Sequence, residues 1–442
     1  MNPDEEYARV LQLVDEHHRW FEESIPLIAS ENVTSPRCRE MLLTDFGHRY
    51  AEGWPGERLY AGTKYIDQVE LIAIELLKEL YGATFVDIRP VSGTTANIAA
   101  YTAFTEAGDT IMATSIPRGG HITIGPKHLG GTAGAVCRLN VEYFPYIEDE
   151  FAVDVDKTKQ KIELLNKNGK RVALAVFGGS VFLTRRQAPL RELADFIRAQ
   201  NGFVMYDAAH VLGLIIKDGV FQDPLQEGAD IVTGSTHKTF FSVQHGIILS
   251  HEKYAERIKK AVFPGVVSNH HLGSVAAIAI TACEYLKYGR DYARQVVRNA
   301  RALAETLYEQ GLQVIGAHWN PPFTETHTVL VDVVELGGGL KCEQLLERAN
   351  IIVNRNMIPR DIREKRHAND PGGIRLGTSE VTRLGMKEDH LRQIAELIAD
   401  VLIKKMEPEK VKERVRELKR EFQHVRYAIE EGPAYKRPRL AF

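Results

Sequence analysis

Three short segments carry residue types able to do covalent chemistry. In STHKT (Ser235–Thr239) a lysine, Lys238, stands just beyond an apolar, strand-like run, among hydroxyl residues and next to His237. Such a lysine is not placed like a solvated surface side chain. Two readings compete for it: contact with a phosphate, and attack by its amine on a carbonyl. No GxxxxGK(S/T) pattern precedes it, which rejects a P-loop. YDAAH (Tyr206–His210) lies some thirty residues earlier, and its Asp207 closes another apolar run. A carboxylate there either caps the next helix or pairs with a ring nitrogen that has to stay protonated. SGTTAN (Ser92–Asn97) opens a helix after the strand-like FVDIRPV. Free backbone N–H groups at a helix start, joined by hydroxyls, make a cradle for an anion; an ordinary N-cap is the alternative.

In chain order, the cradle, the aspartate and the lysine are the set that a fold-type I pyridoxal-phosphate enzyme needs. They supply a phosphate site, a carboxylate that keeps the ring nitrogen protonated so that the ring draws electrons, and an amine for the aldehyde. His210 is a candidate donor to the ring hydroxyl. The elements that have to carry these residues follow from periodicity. VALAVFGG (from Val172), FVMYDAAH (from Phe203), DIVTGSTHK (from Asp230) and GIILS (from Gly246) read as short buried strands bounded by glycine or polar residues. Between two of them, Leu190, Leu193, Phe196 and Ile197 repeat at helical spacing, and Asn201-Gly202 closes that helix. Strand, helix, strand at this spacing predicts a largely parallel sheet covered by helices. Polar and glycine residues gather just after the strands, where ligands bind in such sheets.

Beyond about residue 280 a long helical stretch leads into the strand-like HTVLVDVVEL, and Val411, Val415, Leu418, Phe422 and Val425 form one stripe near the end. That texture predicts a smaller α+β domain, with the stripe packed on its own domain rather than on a partner coiled coil. The division expected is a helical arm over 1–45, a large cofactor domain over 46–280 and a small domain over 281–442. The 442 residues carry 56 Lys+Arg against 59 Asp+Glu, a net charge of −3, which gives no positive field for nucleic acid or anionic lipid. The four cysteines (Cys38, Cys137, Cys283, Cys342) form no CxxC pair, so neither a zinc ribbon nor a disulfide framework is readable and a reduced, cytoplasmic setting is expected. The first residues, MNPDEEYARV, lack the apolar core of a secretory signal, and the most apolar stretch, Val275–Cys283, is too short to span a bilayer as a helix. The paired histidines His17/His18 and His270/His271 have neither HExxH spacing nor cysteine company, so no metal is expected.

Nearly end to end, the sequence resembles the serine hydroxymethyltransferase family, in its archaeal branch. LIASENVTSP (Leu27–Pro36), HRYAEGWPGERLYAGTKYID (His48–Asp67), GGH (Gly119–His121), YDAAHVLGLI, STHKT, VFPGVVSNHHL (Val262–Leu272) and GGIRLGT (Gly372–Thr378) match its signatures in order. The resemblance implies an α/β fold of the fold-type I pyridoxal-phosphate class, with a mostly parallel sheet, helices on both faces and a smaller α+β domain. It implies covalent attachment of the cofactor to Lys238, pairing of Asp207 with the ring nitrogen and stacking of His121 on the ring. By the same resemblance, His210 and Ser180 would lie beside the ring substituents, Ser92, Gly93 and Thr94 would hold the phosphate, and Ser235 and His237 would be further cofactor contacts beside the lysine. Arg375, helped by Ser30, would on this resemblance take the substrate carboxylate through a bidentate pair. Glu52, with Tyr50 and Tyr60, reaches in from a neighbouring subunit, with Glu52 as the acid/base group, so a homodimer with shared sites, or a tetramer built from it, is implied. The residues themselves agree: IRLG gives Arg375 an apolar, glycine-flanked setting, and YAEG puts a carboxylate among aromatics, where desolvation raises a pKa.

Some stretches depart from the family's pattern. A glycine-rich segment usually follows the lysine; here it reads SVQHG (Ser242–Gly246). The family carries a second histidine three residues after His121, where this chain has Ile124; after HHL it has GSVAA (Gly273–Ala277). Arg185 and Arg186 stand where the family tends to be apolar, and read either as a solvated loop or as contacts for an acidic substrate. Because these changes gather at the cofactor rim and the carrier side, two activities stay open. One is hydroxymethyl transfer between serine and glycine with a reduced pterin, tetrahydrofolate or tetrahydromethanopterin. The other is a pterin-independent aldolase for β-hydroxy amino acids, or a transferase for α-substituted serines, on the same scaffold.

Overall fold

The computed structural model describes residues 1–148, 150–179 and 188–436. Seven strands form the central sheet: β1 Phe85–Asp87, β2 Thr110–Ala113, β3 Asn140–Tyr143, β4 Val172–Gly178, β5 Phe203–Asp207, β6 Ile231–Ser235 and β7 Gly246–Ser250, in the spatial order β1-β7-β6-β5-β4-β2-β3. The run from β6 to β3 is parallel throughout. The GIILS strand, β7, pairs antiparallel with both neighbours, because only a short connection separates it from β6 and a parallel return needs a long crossover. Central strands such as β6 are buried along their whole length, which is why they read as unbroken apolar runs rather than as alternating ones.

Helices clothe the sheet. Those that matter for the site are α1 Pro3–Glu22, α2 Lys64–Tyr81, α3 Gly93–Phe104, α4 Leu190–Ala199, α5 Leu272–Glu309, α6 Glu388–Leu402 and α7 Pro408–Lys419. Ser92 caps α3, its hydroxyl accepting from the Thr95 N–H at 3.1 Å. The small side chains of Ala96, Ala99, Ala100 and Ala103 let α3 lie close on the sheet. After α4 the left-handed residue is Asn201, at φ 60°, and Gly202 follows it. The 38-residue α5 is roughly 57 Å long at 1.5 Å per residue and enters two hydrophobic cores. Val275 to Val296 pack with the central sheet, whereas Ala300 to Leu307 pack with a four-stranded antiparallel sheet. That second sheet comprises β8 Gln313–Val314, β9 Thr328–Asp332, β10 Asn354–Asn356 and β11 Gly373–Gly377, in the order β8-β9-β11-β10. Ile25 and Leu27 belong to this second core too, and Ile25–Pro26 pairs with Ile351–Ile352.

The stripe from Val411 to Val425 is helical only as far as α7, which ends at Lys419. Phe422 and Val425 lie on a turn and on the two-residue strand His424–Val425. The chain leaves the helix there because the Gln423 amide bonds the carbonyls of Lys419 and Glu22, tying the turn to the end of α1. Val411, Val415, Phe422 and Val425 are all buried in one core, so the period reports shared burial rather than one helix. Among the described residues, no helix is long and apolar enough to cross a membrane.

Candidate active site

Register assembles the centre of the site. The parallel pairing sets Asp207 of β5 opposite Gly178 of β4 and Thr233 of β6, so that three strand ends open onto one carboxyl-terminal edge. Ser235 ends β6, and Lys238 follows within one turn, its Nζ donating to Ser235 Oγ at 3.3 Å. Burial pushes the Lys238 amine down to about 8; Arg375 acts in the same direction and Asp207 opposes them. The lysine's backbone carbonyl accepts from Asn32 Nδ2 at 2.7 Å, and the same amide reaches Tyr292 Oη at 2.8 Å. Residues of LIASENVTSP thereby hold the lysine turn in place.

Asp207 is buried, with Oδ2 accepting from Asn97 Nδ2 and Oδ1 from the Ala209 N–H. His121 is lowered by burial, with Lys238 and Arg375 pushing down and Asp207 pulling up. His210 is fully enclosed and driven well below its ordinary value, first by burial and then by Lys238 and Arg375. It stacks on His327 at 5.6 Å between ring centroids. The Ala29 carbonyl, 3.1 Å from His327 Nε2, can only accept, so His327 carries its proton there and is neutral, pushed down to about 3. His237 is lowered to about 4 by burial and by Lys238. These imidazoles are therefore neutral hydrogen-bonding groups near pH 7, not proton shuttles.

Opposite the strand ends lies Arg375, on β11. It is 8% exposed, and burial alone pushes it down to about 10. Among the described residues it makes no ion pair; its Nε donates to Asn354 Oδ1 at 3.2 Å. A buried guanidinium without a counter-ion is a built place for a carboxylate.

The cradle at the start of α3 is defined by close approach. A Cβ on Gly93 would stand 2.3 Å from Ser235 Oγ, and one on Gly246 would stand 2.2 Å from the Ser92 carbonyl. SVQHG thus keeps the one glycine that this contact requires. His245 in the same segment is buried and bonds the Ile88 carbonyl at 2.8 Å, while Thr236 Oγ1 bonds the Val243 carbonyl. Gly246→Ala is expected to push the segment off the cradle at a cost of about 1–3 kcal/mol. Thermal unfolding and weakened phosphate-ester binding are the measurements; an unchanged melting temperature would refute the contact. Thr94 is exposed on the first turn of α3, and Ile124 is buried in the core beneath.

Glu52, Tyr50 and Tyr60 form a second group. Ser268 Oγ donates to Glu52 Oε1, and the two tyrosine rings stand 4.9 Å apart. Arg58 Nη1 bonds the carbonyls of Ala51 and Gly53, on either side of Glu52, at 2.8 and 2.6 Å, and its Nη2 bonds Glu70 Oε2. His270 also bonds Glu70, at 3.1 Å. Burial pushes the Glu70 carboxyl up, but His270 and Arg58 outweigh it and hold it below its ordinary value. Tyr50 and Tyr60 are 48% and 44% exposed, and among the described residues no hydrogen bond joins this group to Lys238 within one chain. Ser30 and His237 line a cavity of about 750 Å³ that adjoins the lysine turn, together with Asn32, Ser242, Gln244 and Glu380. Ser180, Arg185 and Arg186 lie outside the described residues.

Asn97, Thr123, Asn32, His327, Asn354 and Arg58 are the participants that sequence reasoning did not assign. Asn97 and Asn32 sit inside segments already singled out, whereas His327 read only as the start of a strand.

Compared with known proteins, the chain matches the family model "Serine hydroxymethyltransferase" over residues 2–398. It is 53% identical to the serine hydroxymethyltransferase of Korarchaeum cryptofilum over 442 residues, covering 98% of this chain and 100% of that protein. It is 51% identical to that of Methanopyrus kandleri, over 99% of each chain, and 49% identical to that of Nitrosopumilus maritimus, over 96% of each.

Proposed function

The chain belongs to the serine hydroxymethyltransferase family and is a pyridoxal-phosphate-dependent one-carbon transferase, and from that premise we propose how its residues divide the work. The substrate is serine or glycine, and the one-carbon acceptor is a reduced pterin. The observation that carries the amino-acid reading is Arg375, a buried cation with no acidic partner among the described residues, close enough to Lys238 and His121 to lower both electrostatically. It takes the substrate carboxylate, and Ser30 assists.

The residues fit the cofactor. Support for a phosphate at the start of α3 comes from the Ser92 cap and from glycines at 93 and 246, where a Cβ would fill the cradle. Lys238 would be the attachment point, Asp207 would keep the ring nitrogen protonated, and His121 and His210 would help to hold the ring. When bound, pyridoxal phosphate supplies the sink for electrons released at the substrate's Cα. Glu52 holds or moves the proton of the hydroxyl on the transferred carbon, because burial keeps His210, His237 and His327 neutral at neutral pH. It acts in the partner's site: Tyr50 and Tyr60 are exposed in one chain, and α1 buries none of its residues while presenting Tyr7, Val10, Leu11 and Val14. A homodimer covers both surfaces.

Release of the α-proton of tritiated glycine tests this reading. The exchange is expected to be slow with enzyme alone and to accelerate when tetrahydrofolate or tetrahydromethanopterin is added, the better pterin identifying the carrier. No acceleration by either, together with cleavage of allo-threonine, would replace the transferase by the aldolase.

A further inference from the structure

Asp207, Asn97, Thr123 and His121 form one buried line of hydrogen bonds whose direction is fixed from one end. A carboxylate oxygen only accepts, so Asn97 has to turn its amino group toward Asp207 Oδ2, 2.9 Å away. The amide oxygen then faces Thr233, whose hydroxyl donates to it at 2.6 Å. The second Asn97 N–H goes to Thr123 Oγ1, at 2.9 Å. Having accepted there, the Thr123 hydroxyl gives its own proton to His121 Nδ1, at 2.8 Å. The Thr123 backbone N–H aims at the same nitrogen, at 3.3 Å. A ring nitrogen that receives two donors carries no proton. Asp207, Asn97, Thr123 and Thr233 are each no more than 3% exposed, so bulk water does not reroute the line. Reversing it would set the Asn97 oxygen against the carboxylate, two acceptors 2.9 Å apart.

We infer that Asn97 and Thr123 are positioning residues that lock His121 as the neutral Nε2–H tautomer, with Asp207 setting the polarity of the relay. The inference rests on the proposed role of His121 as the ring's stacking partner and deepens it. Lys238 and Arg375 already stand near His121, and Asp207 is the carboxylate that faces it. A cationic imidazole would add a further positive charge to that face, whereas a neutral ring of fixed tautomer presents an aromatic surface and one donor. The aspartate that holds the cofactor's ring nitrogen thereby also sets the state of the histidine on the ring.

Histidine-selective 15N labelling of the cofactor-free protein reads this directly, through two-bond proton–nitrogen spectra recorded against pH, with His121 assigned from the His121→Gln spectrum. The wild type is expected to show an unprotonated Nδ1 and a protonated Nε2. Thr123→Val removes the hydroxyl donor, which favours the neutral ring, so the protonation midpoint of His121 should rise by roughly half to one pH unit. Thr123→Ser should restore it, and Asn97→Ala should give part of the rise. A wild-type Nδ1–H tautomer, or a Thr123→Val variant titrating like the wild type, would overturn the inference. Binding of pyridoxal phosphate to the same wild-type sample is measured by absorbance. Failure there would sink the proposed function and leave the tautomer result standing.

Discussion

Lys238→Ala is expected to abolish the visible absorbance of the covalently held cofactor and to cut turnover by on the order of 10⁴-fold or more. The amine is prepared by its surroundings. Burial brings it to about 8, so that at pH 7 roughly a tenth is neutral, against about 0.03% for a lysine titrating near 10.5. Asp207 opposes that shift and Arg375 supports it, so the lysine is tuned by the two groups proposed for the cofactor's ring nitrogen and the substrate's carboxylate. Asn32 grips the lysine's own carbonyl rather than its amine, so the alanine variant keeps the turn and the loss is chemical. A variant that unfolds, or one that retains the absorbance band, contradicts this account. The same variant also tests the shared site. Mixed with Glu52→Gln, itself inactive, it should form hybrid dimers in which one site keeps both residues. After random re-association, roughly a quarter of wild-type activity is expected. If Glu52 serves its own chain, mixing restores nothing.

How far the sequence discloses such a site depends on the scale of the contact. Lys238, Asp207 and the Ser92 cradle were legible because each follows an apolar strand at the sheet's carboxyl edge, and a parallel sheet has one such edge. Arg375 was legible because an arginine flanked by isoleucine, leucine and glycines has no solvent to reach. The antiparallel direction of β7 was not, since a short buried run reads the same either way. The Asn97–Thr123 relay was hidden because its partners are 26 and 110 residues apart along the chain and meet only once β5, β6 and α3 are in register. His327 was hidden for the same reason: it meets Ala29 across 298 residues of chain. The altered SVQHG shows the converse. Two glycines and a proline of the family's segment are gone from it, yet the position where a Cβ would stand 2.2 Å from the Ser92 carbonyl is still glycine. Replacing Arg58 is a comparable case, because its part in fixing Glu52 runs through the carbonyls of Ala51 and Gly53, which no residue type records.

Arg375→Met is expected to do two things of opposite sign. Removing one partner of a buried charge-to-carboxylate contact typically costs about 2–5 kcal/mol. At 1.4 kcal/mol per tenfold, the affinity for serine should therefore fall by roughly 30-fold to several thousand-fold. The fold should respond the other way. In the free protein the guanidinium is buried, bonded to the Asn354 amide oxygen, and without an ion pair among the described residues. Burial depresses its protonation to about 10, which means that its charge is held there at a cost. A methionine fills similar volume without that charge, so the cofactor-free protein should gain about 1–3 kcal/mol and melt at a higher temperature. Arg375→Lys separates charge from shape: it keeps the cation, loses the planar fork, and should fall between the two in affinity while gaining no stability. Were Arg375 a structural residue instead, the methionine variant would melt lower and bind serine no worse than its residual fold allows. A more stable protein that no longer holds the amino acid would identify the buried cation as a cost the fold bears for its substrate.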